Sequence, residues 1–215
     1  MDKRARRAGR TEPAPGHRIF LLSPALCHGE RAKLLLGERG KSPLALHLRS
    51  GGKAALGEVF TFVSGLYFRA KLAYASAFAS PPPHCEGTLV ITPDRGLLPP
   101  GTMIGLDELR AFAGIDIAHR DPRFLHPFRR DASALAIRAG AGCRIVLLGS
   151  LAPRKYLDVL FDGLADRLHY PSDFVGKGDM VRGCILLAAV REMSELPYAP
   201  ASERSAPLPS RSGSA

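Results

Sequence analysis

An α/β domain, with a mostly parallel sheet covered by helices on both faces, is the fold class this chain predicts. Three observations carry the prediction. Short, strongly apolar runs recur along the chain, amphipathic stretches alternate with them, and 18 prolines and 22 glycines punctuate the series. At 215 residues and 46% apolar content the chain can bury one full core.

Residues 1–17 and 199–215 lack the apolar mass to offset ordering entropy, so they read as disordered tails around a domain at 18–198. Arg18-Ile19-Phe20-Leu21-Leu22-Ser23 is a first buried strand, ended by a Ser-Pro break. A helix follows over 29–36, and 44–48 is ambiguous. Residues 56–79 place Val59, Phe62, Val63, Leu66, Leu72 and Phe78 at helical spacing, which predicts one or two helices stopped by Pro81, Pro82 and Pro83. The β-branched run 87–93 predicts a central strand, and Asp94-Arg95-Gly96 a tight turn. A short helix at 107–113 precedes an Arg-rich loop flanked by His119 and His126, with Arg120, Arg123, Arg129 and Arg130. The run 143–150 is the clearest strand. After it come a crossover helix at 156–164, a strand at 168–171 and a last helix at 179–193.

The formal charge is +10, of which the N-terminal tail supplies +3, five cations against Asp2 and Glu12. A positive field of this size makes nucleic acid or a nucleotide the first partner class to consider, beside the plainer reading of a solvated basic surface. Cys27, Cys85, Cys143 and Cys184 show neither paired nor zinc-finger spacing, so no metal and no cofactor is expected. No signal-peptide core is present, and no apolar run nears the roughly 20 residues that cross a bilayer, so a cytoplasmic protein with no membrane partner is expected.

In a parallel sheet, ligands bind beyond the carboxyl ends of the strands. Candidate binding residues are therefore Ser23 after the first strand, Arg95 and Gly96 after the central one, and Gly149 and Ser150 after the clearest one; each also fits an ordinary turn or helix cap. Gly176-Lys177-Gly178 opens the last helix, where backbone amides with Lys177 and Arg182 suit an anion, although the P-loop pattern is absent. Tyr67, Arg69 and Lys71 sit on an aromatic-rich helix and suit base stacking beside phosphate contacts, or else belong to a core stripe. Asp94 and Asp179 are the candidate general bases.

These segments in order resemble the YaaA-like peroxide-stress proteins and the small domains found with deazaguanine-type nucleic-acid modification. Leu21-Leu22-Ser23-Pro24-Ala25 is similar to the family's opening strand and turn, and Gly65 to Lys71 to its Tyr-containing helix. Asp94 to Pro100 resembles its Tyr-Gly-Leu-Leu-x-Pro turn, 148–156, including Tyr156, its strand-to-helix unit, and 177–182 its late Gly-x-Met segment. The resemblance implies a uracil-DNA-glycosylase-like or Rossmann-like fold and a nucleic-acid or stress-response setting. Arg95 stands where the family usually has Tyr, and a glycosylase water-activating aspartate motif is not evident after Ser23, which speaks against base excision. Three functions remain open: nucleic-acid or nucleotide binding, an enzyme on a nucleobase, nucleotide or nucleoside, and a non-catalytic interaction subunit.

Overall fold

The computed structural model describes residues 16–117, 121–149, 154–164 and 167–204. Strands β1 (Arg18–Leu22), β3 (Thr88–Ile91), β6 (Arg144–Leu148) and β7 (Leu168–Pro171) run parallel. Two antiparallel strands, β4 (Leu97–Leu98) and β8 (Tyr198–Pro200), close the edges, giving the order β4-β3-β1-β6-β7-β8. A separate two-stranded ribbon pairs β2 (Ala54–Ala55) with β5 (Met103–Ile104).

The period of two along each strand divides the core. Phe20, Leu22, Val90, Val146 and Leu148 enter one hydrophobic cluster together with residues of α1 (Glu30–Leu36), α2 (Pro43–Arg49), α3 (Leu56–Ser64), α4 (Leu66–Phe78), α5 (Leu106–Ala113) and α8 (Asp179–Arg191). Ile19, Leu21, Leu89, Ile91, Ile145 and Leu147 enter the other, with α6 (Pro122–Ala139) and α7 (Arg154–Leu164). The fold class expected from alternation is the one observed. In chain order the parallel strands lie second, first, third, fourth, so the direction of winding reverses between β1 and β6. Ligands of such sheets bind in that crevice, beyond the carboxyl ends of the strands.

The structure settles two segments that the sequence leaves open and changes a third. The ambiguous stretch at 44–48 belongs to α2, because the Ser42 hydroxyl caps it by accepting from the Ala45 amide and Pro43 occupies its first turn. Residues 56–79 are two helices, broken at Gly65 with φ +63°. The Arg-rich stretch expected as a loop is helix α6, carrying Arg123, His126, Arg129 and Arg130; Asp121 caps it, and Pro127 lies inside it. His119 and Arg120 fall outside the described residues.

The C-terminal boundary also differs, since β8 carries paired strand through Pro200 and Ala201 is buried beyond it. A chain of buried polar groups holds this segment. The Tyr198 hydroxyl donates to Glu195 Oε1 at 2.7 Å, which leaves the Tyr74 hydroxyl to donate to Tyr198 at 2.7 Å and to accept from the Leu196 amide at 2.8 Å. Arg18 Nε completes it, 2.7 Å from Glu195. Among the described residues no helix is long and apolar enough to cross a membrane.

Tyr74→Phe removes a buried acceptor and strands the Leu196 amide. Urea denaturation is expected to show a loss of about 1–3 kcal/mol with an unchanged m-value. A loss within experimental error would show that β8 docks through its apolar contacts alone.

Candidate functional site

At the end of β1 the Ser23 amide donates to the Leu148 carbonyl at 3.2 Å, which zips β1 to β6 up to the rim. Lys71 approaches this point from α4, one helical turn after Tyr67. Its Nζ donates to both the Ser23 carbonyl and the Ser23 Oγ, each at 2.8 Å. With Oγ accepting from an ammonium, the Ser23 hydroxyl proton is left to donate to another acceptor. Lys71 is 2% exposed, and its Nζ lies 4.8 and 4.9 Å from the ring centroids of Tyr67 and Phe68. Burial pulls its pKa down to about 7, against the pull of Asp179, whose charge favours the ammonium.

Helix α8 packs on α4 and brings a second cation. Arg182 Nε donates to the Phe174 carbonyl at 3.3 Å, its guanidinium carbon lies 5.6 Å from the Phe174 ring, and one terminal nitrogen lies 3.3 Å from Asp179 Oδ1. Phe174 meets the Tyr67 ring edge-on, 6.5 Å between centroids. The Tyr67 hydroxyl is buried with no hydrogen-bond partner among the described residues. Burial pushes this phenol up to about 12, with the nearby Arg182 charge opposing.

A second group forms one strand away. The Thr92 hydroxyl donates to the Gly96 carbonyl at 2.9 Å and accepts from the Arg95 amide at 3.1 Å, closing the turn after β3. Gly96 has φ +65°, and a Cβ there would overlap the Asp131 carboxylate, which accepts from the Leu97 amide at 2.9 Å. This close approach requires glycine. The turn so fixed presents Asp94, whose Oδ1 is buried without a hydrogen bond among the described residues; Arg95 Nε lies 3.8 Å from it. Arg95 is half-exposed and leans on Glu108, 3.7 Å away. Burial raises the Asp94 pKa, with Arg95 and Arg123 opposing.

Asp94 lines an open cleft of about 670 Å³ with Ile115, Arg123, His126 and Pro127. A neighbouring cavity of about 360 Å³ shares Ile115 and is walled by Pro24, Leu26, Cys27, Pro93 and Phe112. Burial, and then Asp94, push the Cys27 thiol up to about 12, which leaves it a poor nucleophile.

Of the residues proposed from sequence, Ser23, Tyr67, Lys71, Asp179 and Arg182 gather at the β1 rim, with Gly149 buried at the end of β6 beside them. Gly176 (φ +70°), Lys177 and Gly178 form the exposed turn that opens α8. Asp94, Arg95 and Gly96 lie on the same rim, at the end of β3. Arg69 does not join the site, because two residues on a helix turn it about 200° from Tyr67, onto the exposed side. Ser150 and the Tyr156 side chain lie outside the described residues. Sequence reasoning missed Phe174 as the platform under Arg182, and Glu108 as the partner of Arg95. It placed Arg123 and His126 in a loop, when they line the Asp94 cleft. No cluster of three or more His, Cys, Asp or Glu suited to a metal occurs among the described residues.

The unfolded chain holds the Lys71 proton to its ordinary value of 10.5, while the folded chain releases it near 7. Stability contributed by this group therefore rises with pH from about 7 upward. The thiols of Cys27 and Cys143, raised above their ordinary 9.0 in the fold, work the other way above that pH. Between pH 7 and 9 the stability of the native protein relative to Lys71→Met is expected to climb by about 1 kcal/mol per pH unit in chemical denaturation. A flat difference would mean that Lys71 keeps its proton.

Compared with protein-family models, with curated proteins and with solved structures, the chain gives no match.

Proposed function

We propose that this protein binds nucleic acid or a nucleotide at the carboxyl rim of its sheet, with the phosphate taken at the β1–β6 crevice. The observation that carries the reading is the convergence of Ser23, Lys71 and Arg182 where the winding of the sheet reverses. Ser23 supplies a hydroxyl donor aligned from below by Lys71. Below pH about 7, where Lys71 keeps its proton, the ammonium in a low-dielectric interior projects more potential to the rim than the same charge in water. Arg182 adds a guanidinium whose only ion-pair partner among the described residues is Asp179, itself 68% exposed. The pair is a single contact whose carboxylate faces solvent, while the Arg182 side chain is 14% exposed. Lys177 stands exposed at the start of the 13-residue α8, where unpaired amides and the helix dipole favour an anion. The net charge of +10 supports the same partner class by drawing polyanions to the surface.

Fluorescence anisotropy with labelled single- and double-stranded oligonucleotides, between 50 and 300 mM salt, tests the reading. Affinity is expected to fall log-linearly with salt, by about 0.7–0.9 in slope per phosphate contacted. Lys177→Ala and Arg182→Ala should each weaken binding and flatten that slope by about one contact. The two variants separate the rim from the basic N-terminal residues, which both retain. Absent or salt-independent binding, or slopes unchanged in both variants, would refute the assignment.

A further inference from the structure

We propose that the cleft at the end of β3 is a base pocket that selects a guanine-type edge through the Asp94 carboxylate. The inference deepens the nucleotide reading above and rests on it for the class of ligand.

Asp94 is fixed from behind by the Thr92–Gly96 turn and by the contact of Gly96 with Asp131, so its position does not depend on a ligand. Its side chain is 21% exposed, yet Oδ1 is shut off from solvent with no hydrogen-bond partner among the described residues. A buried acceptor left in this condition calls for a donor. Arg95 and Arg123 both act on this carboxylate electrostatically. Both are themselves paired, Arg95 with Glu108 and Arg123 with Asp121, and the base of the nucleotide read above offers the donor as a neutral N–H. Burial raises the Asp94 pKa and the two guanidiniums oppose it; in its ionised form the carboxylate accepts hydrogen bonds only.

An acceptor-only carboxylate is matched by two adjacent N–H groups. Among the common bases guanine alone offers these on one edge, at N1 and N2. Adenine, cytosine and uracil place an acceptor beside each donor and would set it against a carboxylate oxygen. The torsion of a carboxylate about its last bond is soft, so both oxygens can turn to such an edge. Ile115 and Pro127 supply apolar walls for a planar ring, and Arg123, ion-paired with Asp121 at 2.6 Å, stands at the mouth with His126.

Isothermal titration of the whole protein with guanosine monophosphate, its 2′-deoxy form, and the adenine, cytosine and uracil monophosphates tests this. Both guanine nucleotides are expected to bind alike and at least ten-fold tighter than the other three. Asp94→Asn should abolish the preference while still melting cooperatively. Arg123→Ala, at an exposed position, should keep the preference. Equal affinity for all five, binding of none, a requirement for the 2′-hydroxyl, or a preference that survives Asp94→Asn would overturn the pocket. Salt-dependent oligonucleotide binding without any nucleotide preference would remove the pocket and leave the phosphate site. A preference that depends on Asp94, without oligonucleotide binding, would support the pocket and remove the nucleic-acid reading.

Discussion

The ammonium of Lys71 inside the apolar core is the interaction on which the rim of this fold depends. Taking such a group out of water costs several kcal/mol even after relaxation. No carboxylate lies within ion-pair distance of it among the described residues; the compensation comes from the Ser23 carbonyl and hydroxyl and from two aromatic faces. A leucine here would satisfy the packing at less cost, but it would orphan the Ser23 oxygens and release the first residue after β1 from α4. A buried cation held by a serine at the end of the first strand ties the shape of the crevice to its charge.

That arrangement requires α4 to be held firmly along its length, and its two ends are held differently. Helix α4 runs back along the sheet, so its C-terminal part lies beside the start of β1 and its N-terminal part beside the end. At the start of β1, Arg18 bonds the Phe78 carbonyl and pairs with Glu195, and Tyr74 meets Tyr198 and Leu196. At the other end Tyr67 and Lys71 reach the rim. The C-terminal segment closes the sheet edge and also anchors the helix that presents the site.

Much of this was legible along the sequence, and what was lost was lost for physical reasons. β1, β3 and β6 are buried on both faces, and such strands announce themselves as apolar runs, as Ile145 to Leu148 does. Strand order is set by non-local packing, so no single segment showed that β1 lies between β3 and β6. Helix α6 was hidden by Pro127 and by its many arginines, since tertiary burial of Phe124, Phe128 and Leu135 outweighs a poor local propensity. For the site, the signal in α4 was its spacing of four. Tyr67 and Lys71 share a face and Arg69 cannot, a distinction the helical period contains and a plain grouping of aromatic and basic residues ignores. The pairing of Lys71 with Ser23 joins residues 48 apart and had no local signature.

The two halves of the rim differ in electrostatic character, and the difference follows from what each strand end has packed behind it. Behind β1 stand α4 and α8, which contribute Lys71 and Arg182 and make that side a place for negative charge. The β3 end is backed by α6, whose Asp131 locks the turn that exposes Asp94. Asp94 then sits beside Arg95 and Arg123, which are themselves paired with Glu108 and Asp121, so this side carries charge of both signs. On the proposed reading one ligand spans both sides, with its phosphate at the β1 end and neutral N–H donors at the β3 end.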